Sequence, residues 1–106
     1  MKKMFLLGLA MPFIFTMFWS CSGLTSREGE EAFIRHCSTC HAGGGNAINP
    51  ARTLSRKDLG ANGIKTPADI VARMRKPGPQ MPKFDEVEIP DKTADAIAEY
   101  ILKTFK

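Results

Sequence analysis

The stretch Cys37-Ser38-Thr39-Cys40-His41 constrains this chain more than any other. On a helix, positions i, i+3 and i+4 project from one side, so two thiols and an imidazole gather within one turn. Three chemistries use such a set. A thioredoxin-type redox pair belongs to a βαβ unit, and no stretch of this chain alternates like a strand. A zinc site needs a fourth ligand, and the nearest candidate, His36, lies on the same helix and points well round its axis. C-x-x-C-H is also the attachment motif for c-type haem: the thiols add to two vinyl groups along one porphyrin edge while the imidazole reaches the iron. The residues favour this third reading. It predicts one covalently bound haem c, attached through Cys37 and Cys40, with His41 as an axial iron ligand and His36 facing solvent.

The start of the chain carries an address. Lys2 and Lys3 open the chain, Met4 to Trp19 is uncharged, and small residues follow at Ser20-Cys21-Ser22-Gly23. That is the layout of an export signal, and with Pro12 inside it the run is short for a membrane span. The chain therefore divides into an export signal at 1–21, a short tether at 22–26 and one domain at 27–106. Of three cysteines, Cys21 is the odd one. It stands where a lipoprotein signal places its lipidated cysteine, which would anchor the protein to a membrane from the periplasmic side. Cleavage after Ser22 would discard it, and an uncleaved anchor is a third route.

A domain of this size buries a modest core, and a haem disc would enlarge it. The full chain holds 15 Lys and Arg against 11 Asp and Glu. Setting aside Lys2 and Lys3 leaves near balance, which gives no reason to expect nucleic-acid binding. The charge is unevenly distributed. Segment 52–83 is basic, with Asp58 and Asp69 as its only acids, whereas 84–106 is acidic. Solvated faces would account for that; so would a basic surface that steers an acidic partner.

Helical signals recur through the domain. Residues 27–41 read as a single helix with acids in its first turn. At 54–60 Ser55 is an N-cap with Asp58 at N3, Leu54 and Leu59 form a hydrophobic staple, and Gly60 stops the turn. Thr66, Pro67 and Asp69 open a helix running to Lys76, with Ile70 and Met74 as an apolar pair. The last helix begins near Asp91 and carries Ala94, Ile97, Ala98, Ile101 and Phe105 on one stripe, beside Tyr100. The expected fold is all-α, with about four short helices wrapped around one haem.

A second axial ligand has to come from elsewhere in the chain. Beyond the export segment the methionines are Met74 and Met81. Met74 falls in a helical apolar stripe, where methionine is usually core. Met81 stands in "RKPGPQMPKF", a loop braced by Pro77, Pro79 and Pro82. A thioether binds iron weakly, so a loop that loses little entropy on ordering suits it. Met81 is the predicted ligand.

With these residues in view, the sequence resembles the class I cytochromes c, specifically the small monohaem type of the c6 and c553 carriers. Gly29 and Phe33 stand before Cys37 as in that family, and Ile97, Tyr100 and Ile101 match the other side of its helix crossing. "CHAGGGNAINPARTL" looks like the segment after the haem motif, and "MPKF" like the methionine loop. The resemblance implies that the His41 ring N–H donates to the carbonyl of Asn49 or Pro50. It also implies that Pro50, Leu54, Ile70, Met74, Pro82 and Phe84 line the haem, with Arg73 near a propionate.

The implied function is a periplasmic one-electron carrier rather than an enzyme, exchanging electrons with redox proteins that present acidic surfaces. Two other readings are open. One is a fixed electron-transfer subunit of a larger membrane oxidoreductase, and the other is a haem sensor or enzyme from which Met81 dissociates.

Overall fold

A computed structural model describes residues 22–106. The expected export segment at 1–21, with Cys21, lies outside the described residues. Those residues form helices joined by irregular loops: α1 (Ser22–His36), α2 (Ser38–His41), α3 (Arg56–Ala61), α4 (Pro67–Arg75) and α5 (Asp91–Thr104), with a 3-10 turn at Ala42–Gly44. No strand occurs among them, and none of their helices is long and apolar enough to cross a membrane.

Segment 27–41 is two helices, not one. The backbone at Cys37 leaves the helical region, with φ −121° and ψ −31°, and α2 restarts at Ser38. Ser38 Oγ donates to the Ile34 carbonyl four residues back, a bond that bends helices. Cys37 N–H still reaches the Phe33 carbonyl at 2.8 Å, so the chain kinks without fraying. The first helix also begins at Ser22. The backbone is thus helical through 22–26, where a tether was expected, and the acids follow the first turn instead of filling it.

Helices α3 and α4 form as their caps dictate. Ser55 accepts the Asp58 N–H at the start of α3. Thr66 and Asp69 complete a capping box on α4 with Pro67 just inside it. Helix α3 runs past Gly60; the left-handed residue that turns the chain is Gly63, at φ +75°.

Helix α5 packs on both α1 and α4. Its Ala94, Ile97, Ala98 and Ile101 are buried against Ala32 and Phe33 of α1 and Ile70 and Met74 of α4. Ala96, off the predicted stripe, is buried because α1 crosses there: a Cβ on Gly29 would run into the Ala96 carbonyl. Phe33, Tyr100 and Phe105 form an aromatic triangle with centroid separations of 5.3, 5.4 and 5.9 Å. Gly44, at φ +79°, passes directly under the Phe105 ring, where no side chain fits. The turn after His41 is thereby tied to the end of α5, and the motif to the core.

Candidate haem site

A cavity of about 430 Å³ opens beside α2. Cys37, Cys40 and His41 line it from the motif, Leu54, Leu59 and Ile64 from around α3, and Ile70 and Met74 from α4. Gly78 to Pro82 and Phe84 supply a further wall, which includes Met81. Exposed Arg52, Asn62, Arg73 and Gln80 add polar groups to this apolar lining.

Each motif side chain is poised for a separate task. His41 is half-buried, and its Nδ1 lies 2.7 Å from the Gly45 carbonyl oxygen. A carbonyl only accepts, so Nδ1 carries a proton, and in the neutral ring Nε2 keeps its lone pair. The acceptor is therefore Gly45, not Asn49 or Pro50. Gly45 closes the 3-10 turn, its own N–H bonded to the Ala42 carbonyl at 3.1 Å, and this turn brings its oxygen back over the imidazole. Cys37 and Cys40 are both free thiols and half-buried. Burial pushes the Cys37 thiol up to about 11, so it is neutral at pH 7.

Of the residues expected to line a haem, Leu54, Ile70, Arg73, Met74, Pro82 and Phe84 all face the cavity. Pro50 does not; it is exposed. Asn46 Oδ1 accepts the N–H groups of Ile48 and Asn49 at 3.1 and 2.9 Å, and the Asn49 carbonyl accepts the Arg52 N–H at 2.9 Å. This tight turn leaves Pro50 outside and brings Ile48, Asn49 and Arg52 to the cavity instead. His36 also departs from expectation. It is half-buried, lines the cavity and meets the Phe84 ring edge-on at 6.3 Å. Leu59 was legible only as a staple partner of Leu54, and Ile64 was not singled out; the local turn at Gly63, with the Ile64 N–H on the Leu59 carbonyl at 2.9 Å, brings both to one wall.

Met74 and Met81 reach the cavity from different settings. Met74 is 3% exposed on α4, whereas Met81 is half-buried in an extended loop. That loop is fastened where it ends: Phe84 N–H donates to the Met74 carbonyl at 3.0 Å, and the buried Phe84 ring packs in the core.

The donor set suits a covalent haem. It combines two unpaired thiols, an imidazole with a free Nε2, two thioethers and an apolar slot within the volume range of ligand pockets. Residues 25–101 match the family model described as cytochrome c oxidase, cbb3-type, subunit III. Cytochrome c6 of Synechocystis sp. is 36% identical over 101 residues, covering 90% of this chain and 83% of that protein. Cytochrome c6 of a Nostoc species is 34% identical over 104 residues, with 96% and 93% coverage. In structure, OmcF, outer membrane cytochrome F of Geobacter sulfurreducens, superposes with a TM-score of 0.72 at 46% identity, covering 74% of this chain and 99% of that one. Cytochrome c6 of the diatom Phaeodactylum tricornutum gives 0.66 at 31% identity, with 74% and 91% coverage. The chain belongs to the class I c-type cytochromes, small monohaem proteins with the cytochrome c fold. Its cofactor is a single covalently bound haem c, and its cytochrome c6 relatives are electron carriers.

Proposed function

We propose that this cytochrome passes single electrons between redox proteins of the bacterial periplasm, with its haem attached at Cys37 and Cys40 and its iron held between His41 and Met81. The observation that carries this reading is the His41 tautomer: Nδ1–H is spent on Gly45, and Nε2 is left for a metal in the cavity that Met81 also lines. When bound, the haem supplies an Fe(III)/Fe(II) couple. The chain supplies everything else. The Gly45 carbonyl fixes the imidazole and strengthens it as a donor. The Met81 thioether favours the reduced iron relative to a second histidine. Leu54, Ile70, Met74, Pro82 and Phe84 exclude water, and Arg73 offers its charge to a carboxylate such as a propionate. With two protein ligands on the iron, no position is left for a substrate.

Exposed Arg52, Arg73, Lys76 and Lys83 give the partner-facing surface a positive character suited to acidic donors and acceptors. Lipidation of Cys21 would hold the carrier at a membrane. A second reading, a fixed subunit of an oxidase complex, is favoured by the description of the matching family model. The two part on extraction from membranes with mild detergent: a carrier is recovered as a free protein, a subunit as a stable complex. An intact mass of the native protein tests the attachment and the address together. The expected value is the chain from Cys21 onward plus one haem and a lipid. A mass without haem, or one retaining residues 1–20, contradicts this account.

A further inference from the structure

Arg75 is absent from the cavity lining, yet its side chain holds the end of the Met81 loop at Phe84. The side chain, 15% exposed, ends α4 and reaches across the base of the loop. Its Nη1 donates to the Phe84 carbonyl at 3.1 Å and its Nη2 to Asp91 Oδ1 at 2.7 Å, while Nε lies 3.6 Å from Glu86 Oε1. Phe84 N–H meanwhile donates to the Met74 carbonyl at 3.0 Å. Both backbone groups of Phe84 are thus held by successive residues of the last turn of α4, and the loop from Lys76 to Lys83 is closed at both ends. The same guanidinium ties that closure to the first residue of α5. Within the loop, the Met81 N–H reaches only the Gly78 carbonyl at a long 3.4 Å, so nothing else of comparable strength pins its backbone.

We infer that Arg75 is a positioning residue for the sixth ligand: it keeps the Met81 sulfur on the iron by clamping Phe84 between α4 and α5. This rests on Met81 being the axial ligand. The reasoning is that a weak ligand stays bound only as long as its loop stays closed, and the closure depends on charge-assisted bonds from one planar fork. Prolines 77, 79 and 82 restrict the open loop; Arg75 stabilises the closed one. Removing a partly buried bond of this kind raises the open population by roughly ten- to a hundredfold. An Arg that merely supported the fold would not distinguish the loop from the rest of the molecule.

The test compares two readouts on the haem-loaded protein carrying Arg75→Ala, Arg75→Lys, Asp91→Asn or Met81→Ala. One is the temperature at which the ferric thioether-to-iron absorption band disappears, set against the temperature of global unfolding by far-UV circular dichroism. The other is the rate of carbon monoxide binding to the reduced protein. In Arg75→Ala the band is expected to vanish well before unfolding and carbon monoxide binding to accelerate roughly tenfold or more. Arg75→Lys, with no fork, recovers only part of the difference, and Asp91→Asn shows a smaller effect of the same sign. If Arg75→Ala fails to fold, Arg75→Lys and Asp91→Asn carry the comparison alone. Band loss that still coincides with unfolding, together with an unchanged carbon monoxide rate, overturns the inference, provided Met81→Ala has abolished the band. If Met81→Ala keeps the band, the ligand assignment itself fails, and the role of Arg75 fails with it.

Discussion

The backbone N–H of Phe84 donates to the carbonyl of Met74 at 3.0 Å, which joins the end of the Met81 loop to the last turn of α4. A helix carbonyl without an intrahelical partner thus becomes the anchor of a loop, so the two methionines of the domain are mechanically linked. Their environments stay distinct: Met74 is core, Met81 is half-buried in a loop. The consequences of this architecture can be measured at several points.

The crossing of α1 and α5 depends on Gly29 having no side chain. Gly29→Ala forces its Cβ into the Ala96 carbonyl and should cost about 1–3 kcal/mol as the helices separate. Gly60→Ala, in a helix and with no atom within 4 Å of the new Cβ, should instead stabilise by about 0.5–1 kcal/mol. Urea denaturation of the two variants reads the opposite signs.

The entry of α4 rests on a reciprocal cap. Thr66→Ala removes the acceptor for the Asp69 N–H and should cost about 1 kcal/mol, measured by the shift in thermal midpoint. Thr66→Ser keeps the bond and should stay close to the parent.

Acid sensitivity follows from three aspartates held below the ordinary carboxyl range. For Asp58 the main cause is the Thr53 hydroxyl, for Asp69 the Lys65 N–H and for Asp85 the Glu88 N–H. A carboxyl whose folded pKa is depressed stabilises fully above its unfolded value and loses that contribution as pH falls through the folded one. The thermal midpoint should therefore be insensitive to these groups from neutral pH down to about 5 and decline below about 4. Asp69→Asn should lower the neutral-pH midpoint and flatten the acid decline; an unchanged acid slope would mean that Asp69 contributes nothing to it.

Much of this was legible before any coordinates. Thr66-Pro67-x-Asp69 and Ser55-x-x-Asp58 specify their helix starts through local hydrogen bonds, and α5 announces itself by an apolar stripe, so these elements form where their residues say. What escaped depended on contacts distant in the chain or on turns with no local rule. The kink at Cys37, the Gly45 acceptor for His41 and the outward placement of Pro50 all arise where side-chain bonds compete with regular backbone. In the sequence, Arg75 is one more basic residue of segment 52–83. Its partners, Phe84, Glu86 and Asp91, come together only once α4 and α5 have packed. The motif and the proline-rich loop were the most legible parts of the site because their chemistry demands particular residue types.

The central claim is that Met81, and not Met74, completes the coordination of the iron. The most direct measurement is the ferric thioether-to-iron absorption band, taken with the reduction potential, in Met81→Ala and Met74→Ala. This account predicts that Met81→Ala abolishes the band and lowers the potential. Met74→Ala should retain the band while costing about 2–5 kcal/mol of stability, as expected for a buried side chain. Loss of the band in Met74→Ala with retention in Met81→Ala would contradict it.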